Sequence, residues 1–130
     1  MSDPKTVLIV EDEDIIRKGL MFMVNWQQAG CVVAGEAADG LEGLEKIRET
    51  RRDIVIVDIN MPVMDGLEAS RQIRALSRPD VANVPIIAMT ANAFEEDRKK
   101  SAEAGMNDHL TKPLQPRLLM DTLAKYRKRQ

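Results

Sequence analysis

The stretch that decides the fold is Ile54-Val55-Ile56-Val57-Asp58, in which four apolar residues lead to an acid. Strands with one face in water alternate apolar and polar residues, whereas strands covered on both faces are apolar throughout. This run therefore predicts an inner strand of a parallel sheet. Thr6–Val10 and Ile86–Met89 are also continuous, and the set is completed by Cys31–Ala34 and a weaker run near His109-Leu110.

Longer stretches with apolar residues at helical spacing alternate with these five runs. They begin after Asp14, after Asp39, after Asp65-Gly66, at residue 94 and near Leu118. Asp14 is the predicted N-cap of the first helix, and Gly105 is the predicted C-cap of the fourth, which spans residues 94–104. Alternating strands and helices with right-handed crossovers predict an α/β fold. The specific expectation is a flavodoxin-like, doubly wound, five-stranded parallel sheet of order 2-1-3-4-5 with five helices.

Length and composition indicate one globular domain, residues 1–130, with its core at about residues 5–125. The basic end, residues 125–130, is either a solvated helix end or the start of a linker. No apolar run approaches the roughly 20 residues of a membrane helix, and the N-terminus lacks the apolar stretch of a signal peptide. The single cysteine, Cys31, cannot form an internal disulfide, and a net charge of −2 gives no general attraction to nucleic acid. We therefore expect a cytoplasmic protein without direct membrane or nucleic-acid contacts.

Chemically useful side chains follow the predicted strands. Glu11 and Asp12 follow the first strand, Asp58 ends the third, Thr90 ends the fourth and Lys112 follows the fifth. In a doubly wound sheet the functional site lies beyond the carboxyl ends of the strands, where the strand order reverses. Strands 1, 3 and 4 are neighbours in the predicted order, with strand 5 beyond strand 4. These five side chains are therefore expected to converge on one pocket.

Three carboxylates in one pocket repel one another, and a divalent cation relieves the repulsion. Mg2+ (or Mn2+) suits such a pocket because it prefers oxygen ligands and few protein carboxylates. Asp12 and Asp58 would supply two ligands, and the backbone carbonyl of Asn60 a third. Glu11 would act through a bound water. The sequence thus predicts a metal site made by these four residues.

A phosphoryl group fits the same pocket. The ion would hold phosphate oxygens while Asp58 attacks phosphorus as a nucleophile. Lys112 would offset the phosphoryl charge, and the Thr90 hydroxyl would donate to a phosphate oxygen. Each residue also has a simpler interpretation: acids after strands cap helices, which we prefer for Asp14, and threonine commonly ends strands. The combination of residues favours the phosphoryl site.

These residues lie in segments that resemble the receiver domain of bacterial two-component systems, as in response regulators and chemotaxis-regulator-like proteins. The resemblance extends over about residues 5–125. The matching segments are Val7–Glu13, Ile56–Gly66, Pro85–Ala91 and Ala104–Pro113. Any one of them could occur by chance, but all four, in this order and at strand ends, make the resemblance specific.

The resemblance implies a role for each site residue. Asp58 looks like the phosphoacceptor, Glu11 and Asp12 like the acidic pair that binds Mg2+, and Thr90 and Lys112 like the residues that sense the phosphoryl group. Such domains take phosphate from a phosphohistidine on a histidine kinase or a histidine phosphotransfer protein. They also catalyse loss of their own phosphate, without the turnover of a conventional enzyme.

The resemblance further implies a switch and a readout surface. His109 holds the position of the usually aromatic switch residue, and its simpler interpretation is a half-exposed strand histidine. Asn60 and Asn92 match positions that tune dephosphorylation. The surface of the fourth helix, fifth strand and fifth helix would change on phosphorylation, so that it contacts an effector domain, a downstream protein or a second copy of the chain.

Three other functions are compatible with the sequence. A Mg2+-dependent phosphohydrolase with an aspartyl nucleophile typically has a second acid where this chain has Asn60, which argues against it. A flavodoxin would need a phosphate-binding loop where Glu11–Asp14 is acidic. A degenerate interaction module is the third alternative. Met89–Ala93 is similar to receivers of hybrid kinases, whereas Ile15–Leu20 resembles receivers attached to DNA-binding domains, so the arrangement around this domain stays undetermined.

Overall fold

The computed structural model describes residues 3–50, 52–91 and 95–127. Five strands form one parallel sheet in the order β2-β1-β3-β4-β5. The strands are β1 (Lys5–Val10), β2 (Cys31–Ala37), β3 (Ile54–Asp58), β4 (Ile86–Thr90) and β5 (Asp108–Thr111). The helices are α1 (Asp14–Met23), α2 (Gly40–Glu49), α3 (Gly66–Arg74), α4 (Pro79–Ala82), α5 (Glu95–Glu103) and α6 (Pro116–Arg127). The predicted flavodoxin-like fold and strand order are confirmed.

The sheet separates two apolar layers, as its continuous strands predicted. Alternate side chains of a strand point to opposite faces, so each inner strand contributes to both layers. The layer that includes α2 and α3 contains Leu8, Val10, Leu44, Val55, Val57, Ile73, Ile86 and Ala88. The layer that includes α1 and α6 contains Val7, Ile9, Leu20, Ile54, Ile56, Ile87, Met89, Leu119 and Leu123. None of the helices in the described ranges is long and apolar enough to span a membrane.

The prediction of five helices was wrong by one short helix, α4. Pro79 occupies its first turn, where a fixed φ is favourable and a missing N–H costs nothing. The carbonyl of Arg78 accepts from the N–H groups of both Val81 and Ala82. A four-residue helix is too short to show helical spacing of apolar residues, which is why the sequence did not reveal it.

The predicted N-cap role of Asp14 was also wrong. The N-cap residue of α1 is Glu13, and its side chain makes no capping hydrogen bond. Asp14 is the first residue of the helix, and its carboxylate contacts the guanidinium of Arg17. An acid in the first turn still interacts favourably with the helix dipole, but here the neighbouring cation determines where the carboxylate lies.

The end of α5 agrees with the predicted C-cap. Gly105 has φ of +92°, a conformation that costs glycine little and other residues much. The N–H of Met106 donates to the carbonyl of Ser101 over 3.0 Å, which satisfies one of the last helical carbonyls. The chain therefore turns sharply from α5 into β5.

Arg74, at the end of α3, holds the opposite edge of the sheet from the predicted site. Its guanidinium donates to the carbonyls of Gly105 (2.9 Å), Ala82 (2.9 Å) and Val84 (2.6 Å), and to Asn107 Oδ1 (2.7 Å). Burial lowers the pKa of Arg74 from its ordinary value. These bonds join α3, α4 and the turn between α5 and β5.

Candidate functional site

The strand register brings the predicted site residues to one edge of the sheet. Val10 pairs with Val57 across β1 and β3, and Asp58 pairs with Met89 across β3 and β4. Thr90 then ends β4 at the level of the end of β5. Because all of these strands are parallel, the residues that end or follow them meet at the carboxyl edge.

Asp58 is buried at this edge, with 3% of the residue exposed. Its Oδ1 accepts a hydrogen bond from the backbone N–H of Asn60 over 3.1 Å. Its Oδ2 accepts one from Lys112 Nζ over 3.0 Å. Both carboxylate oxygens are thus oriented, and the cation on one of them compensates the buried charge.

Lys112 connects Asp58 to the acidic residues after β1. Its Nζ also donates to Glu11 Oε1 over 2.7 Å, and Glu11 is fully buried. The backbone N–H of Lys112 donates to the carbonyl of Thr90 over 2.7 Å, and the Lys112-Pro113 peptide bond is cis. Burial by itself would lower the pKa of Lys112, but hydrogen bonds from its ammonium to the Glu11 and Asp58 carboxylates raise it above its ordinary value.

The three acids after β1 form a compact cluster. Glu11, Asp12 and Glu13 each present a carboxylate oxygen, and these oxygens lie within 4.8 Å of one another. Burial, a hydrogen bond with Glu11 and the charge of Glu11 raise the pKa of Asp12 above its ordinary value of 3.8. Hard oxygen donors that repel one another suit Mg2+, so the residues at this edge fit that ion chemically.

The raised pKa of Asp12 predicts a pH dependence with a definite sign. The folded protein keeps this proton to a higher pH than the unfolded chain, so Asp12 lowers the free energy of unfolding as pH rises from about 3.8 through the raised pKa. Without metal, we expect Asp12→Asn to lose this decrease and to be more stable than the wild type at neutral pH. In a separate Mg2+ titration, we expect the same variant to bind the ion at least ~10-fold more weakly than the wild type. Urea denaturation across pH, with calorimetric Mg2+ titration, measures both. The control is Asp121→Asn, which replaces an exposed acid on α6. A pH profile of stability in Asp12→Asn that equals the wild-type profile would show that the Asp12 carboxyl does not cause the decrease.

Gly66 lets the start of α3 approach the backbone of Asp58. A Cβ at position 66 would lie 2.4 Å from the carbonyl oxygen of Asp58 and 3.0 Å from the Cα of Ile59. The N–H of Gly66 donates to the carbonyl of Ile59 over 3.0 Å. The Asp65 carboxylate caps the helix by accepting from the N–H of Glu68. The position of Asp58 therefore depends on a residue without a side chain at position 66.

We expect alanine to have opposite effects at two glycines. Gly66→Ala forces the Asp58 backbone to move and should destabilise the fold by about 1–3 kcal/mol. Gly19→Ala, on α1, meets nothing within 4 Å, and should stabilise the fold by about 0.5–1 kcal/mol because alanine favours a helix interior. Urea denaturation of both variants measures the difference. Equal changes in the free energy of unfolding would show that the backbone around Gly66 and Asp58 relaxes to admit a Cβ without cost.

The remaining predicted residues have different outcomes. His109 lies half-buried on β5, paired with Ala88, so its role as a switch residue stays a prediction. The N–H of Asn60 contacts Asp58, whereas its carbonyl as a metal ligand stays a prediction. Asn92 lies outside the described residues. Of the basic end, Lys125 contacts Asp108 over 3.3 Å, and residues 128–130 lie outside the described ranges.

Sequence reasoning missed two residues at this edge. Glu13 brings a third carboxylate to the acidic cluster, whereas only Glu11 and Asp12 were predicted as the metal-binding acids after β1. Arg17 donates from Nη1 to the carbonyl oxygen of Glu11 over 2.6 Å. Its spacing of three from Asp14 on one helix face was the available signal, but a contact with a backbone carbonyl leaves no trace in sequence.

The flavodoxin-like fold is shared by several protein families, and comparison with known families identifies the one to which this chain is similar. A family model described as the response regulator receiver domain matches residues 7–124. The chain therefore belongs to the response regulator receiver domain family.

Individual relatives differ in how much of their length this chain covers. Chemotaxis protein CheY of Thermotoga maritima is 36% identical over 95% of this chain and 98% of its own length. Transcriptional regulatory protein CseB of Streptomyces coelicolor is 37% identical over 92% of this chain. Hybrid signal transduction histidine kinase I of Dictyostelium discoideum is 32% identical over the same share. The chain spans 48% and 7% of the length of these last two relatives, respectively.

Solved structures share the fold. The receiver domain of sensor histidine kinase PA1611 from Pseudomonas aeruginosa has a TM-score of 0.81 and 35% identity, covering 95% of this chain and 97% of that one. It has a magnesium ion coordinated in its active-site cleft. The CheX-CheY-BeF3-Mg complex from Borrelia burgdorferi has a TM-score of 0.83 and 28% identity, covering 94% of this chain and 88% of that one.

Proposed function

We propose that this receiver domain is a phosphoacceptor switch of a two-component system and that Asp58 takes the phosphoryl group. The observation that supports this most is the buried Asp58 carboxylate, with one oxygen on Lys112 and the other on the Asn60 amide. A carboxylate held in this way next to an acidic cluster is oriented for attack and lies where a cation is favourable.

The proposed reaction is a phosphoryl transfer from a phosphohistidine. An Asp58 oxygen forms a bond to phosphorus, the P–N bond of the donor breaks, and the imidazole leaves with that electron pair and takes up a proton. Lys112 compensates the negative charge on the phosphoryl oxygens. Attack of water on the same phosphorus later releases inorganic phosphate and restores the Asp58 carboxylate.

The residues proposed to hold Mg2+ (or Mn2+) are Asp12, Asp58 and the Asn60 carbonyl, with Glu11 acting through water and Glu13 close by. When bound, the ion would neutralise charge on the phosphoryl oxygens. Lys112 already contacts Glu11 and Asp58, so this chain's own ammonium shares that compensation.

Phosphorylation would act as a switch because it adds charge and three strong acceptors at Asp58. Thr90, buried at the end of β4, and Lys112, bonded to the Thr90 carbonyl, are the proposed sensors. A differential of about 1.4 kcal/mol shifts a two-state population tenfold. The α5–β5–α6 surface, which corresponds to the predicted fourth helix, fifth strand and fifth helix, is the proposed readout, with His109 as the proposed switch residue. Amide hydrogen exchange on this surface should change on phosphorylation in the wild type and much less in Thr90→Ala.

The proposed donor is a histidine kinase or a histidine phosphotransfer protein, and the proposed location of the reaction is the cytoplasm. The proposed receivers of the signal are an effector domain, a downstream protein or a second copy of the chain. Membership in the receiver family supports both proposals, as do relatives named as sensor kinases and regulators. Residues 5–125 would carry out this function as one domain.

The test is incubation with acetyl phosphate or phosphoramidate, with Mg2+ or with a chelator. Intact-mass measurement should show one added phosphoryl group per molecule with Mg2+ and almost none with the chelator. Peptide mapping after borohydride reduction should locate the modification at Asp58. Absence of any modification would refute the proposal and favour an interaction module, whereas sustained turnover of small phosphoesters would favour a phosphohydrolase.

A further inference from the structure

Arg17 makes three contacts around the acidic cluster from a side chain that is only 11% exposed. Its Nη1 donates to the carbonyl oxygen of Glu11 over 2.6 Å, and its Nε donates to Glu36 Oε1 over 2.7 Å. Its third nitrogen contacts the Asp14 carboxylate. One guanidinium therefore joins β2, the loop after β1 and the first turn of α1.

The contact with Glu11 bears on where Asp12 lies. The Glu11 carbonyl and the Asp12 nitrogen belong to one planar peptide unit, so fixing that carbonyl fixes the direction in which the chain enters Asp12. The other side of Glu11 is also held, because its N–H donates to the carbonyl of Ala37 over 2.9 Å. The two peptide units that flank the Glu11 Cα are thus each held by one hydrogen bond, and Arg17 makes the one on the unit that leads into Asp12.

We infer that Arg17 is a positioning residue for the metal site and acts through the Glu11–Asp12 peptide to orient the Asp12 carboxylate. This inference rests on the proposed function, because it takes Asp12 as a Mg2+ ligand. Replacing a group that orients a metal ligand, without contacting the metal itself, commonly changes metal affinity by about 10–100-fold. Two carboxylates, Glu36 and Asp14, pair with the guanidinium, so its charge is largely compensated and its geometry matters more.

A positioning role and a charge effect of Arg17 predict opposite changes in Mg2+ affinity when the residue is replaced. Loss of a cation beside a metal site would tighten Mg2+ binding, whereas loss of orientation would weaken it. Arg17→Lys keeps the charge but cannot reach three acceptors in a fixed fork, and Arg17→Gln removes the charge as well. We expect calorimetric titration of the full chain with MgCl2 to give a Kd raised about tenfold in both variants. The phosphorylation rate from acetyl phosphate should shift to higher Mg2+ concentration in both, with its maximum within twofold of wild type.

Arg74→Lys is the matched control. Arg74 also donates to several backbone carbonyls, but at the opposite edge of the sheet, so its replacement should cost stability and leave Mg2+ affinity unchanged. Thermal unfolding of each variant checks that the protein tested is folded. Mg2+ affinity within twofold of wild type in Arg17→Lys, or tighter binding in Arg17→Gln, would overturn the inference while leaving the proposed function intact. A wild type that binds no Mg2+ would overturn both.

Discussion

Asp58→Asn will accept no phosphoryl group from acetyl phosphate under conditions in which the wild type gains one per molecule. Asparagine has nearly the same shape, and its Oδ1 can still accept from the Asn60 N–H that now contacts Asp58 Oδ1 over 3.1 Å. The amide nitrogen, however, is not a carboxylate oxygen and cannot form the acyl phosphate. The expected loss is therefore chemical, and the fold should remain.

The matched control for this prediction is Asp65→Asn. Asp65 caps α3 by accepting from the N–H of Glu68 over 2.8 Å, and asparagine caps a helix about equally well. Asp65 follows the same strand, seven residues after Asp58, so the control tests the loop without changing the nucleophile. Intact-mass measurement should show full modification of Asp65→Asn. A normal yield from Asp58→Asn would place the phosphoryl group elsewhere.

Lys112→Met will destabilise the metal-free protein by about 3 kcal/mol, because removing one partner of a buried ion pair leaves uncompensated charge. The ammonium contacts Glu11 over 2.7 Å and Asp58 over 3.0 Å, and its side chain is 17% exposed. Methionine preserves the length of the side chain and contributes no charge. Two buried carboxylates would then face each other without a cation.

Mg2+ should reverse this loss. It should stabilise Lys112→Met more than the wild type, since it binds only the folded protein and relieves the same repulsion. Thermal unfolding with and without Mg2+ measures the effect.

Lys125→Met is the control for charge removal. Lys125 contacts Asp108 over 3.3 Å, but its side chain is 64% exposed, and exposed ion pairs contribute about 0–1 kcal/mol. Its replacement should leave stability nearly unchanged and independent of Mg2+. Similar losses in Lys112→Met and Lys125→Met would show that the bridge between Glu11 and Asp58 has no special role in stability.

The fold and the convergence of the site could be predicted from sequence because both follow from local patterns. Continuous apolar runs such as Ile54–Val57 indicate strands covered on both faces, and parallel strands place the residues that follow them at one edge. Asp58 and Lys112 are 54 positions apart, yet strand order alone brought them together.

Features that depend on side-chain competition could not be predicted in the same way. Asp14 is a residue type that often caps helices, but its carboxylate contacts the guanidinium of Arg17 instead. Helix α4 is one turn long and has no periodicity to detect. The Arg17 bond to the Glu11 carbonyl depends on a backbone atom, which every residue has, so no choice of residue type at position 11 would indicate it.

The bond from Arg74 to Gly105 has a consequence for the proposed switch. It holds the chain just past the last residue of α5, whereas the first residue of that helix follows the end of β4 at Thr90. If phosphorylation moves the Thr90 end, as proposed, α5 tilts about its held end. We therefore expect hydrogen exchange after phosphorylation to change most near Glu95 and to fade towards Gly105, so that a partner would sense the tilt of α5 rather than its translation.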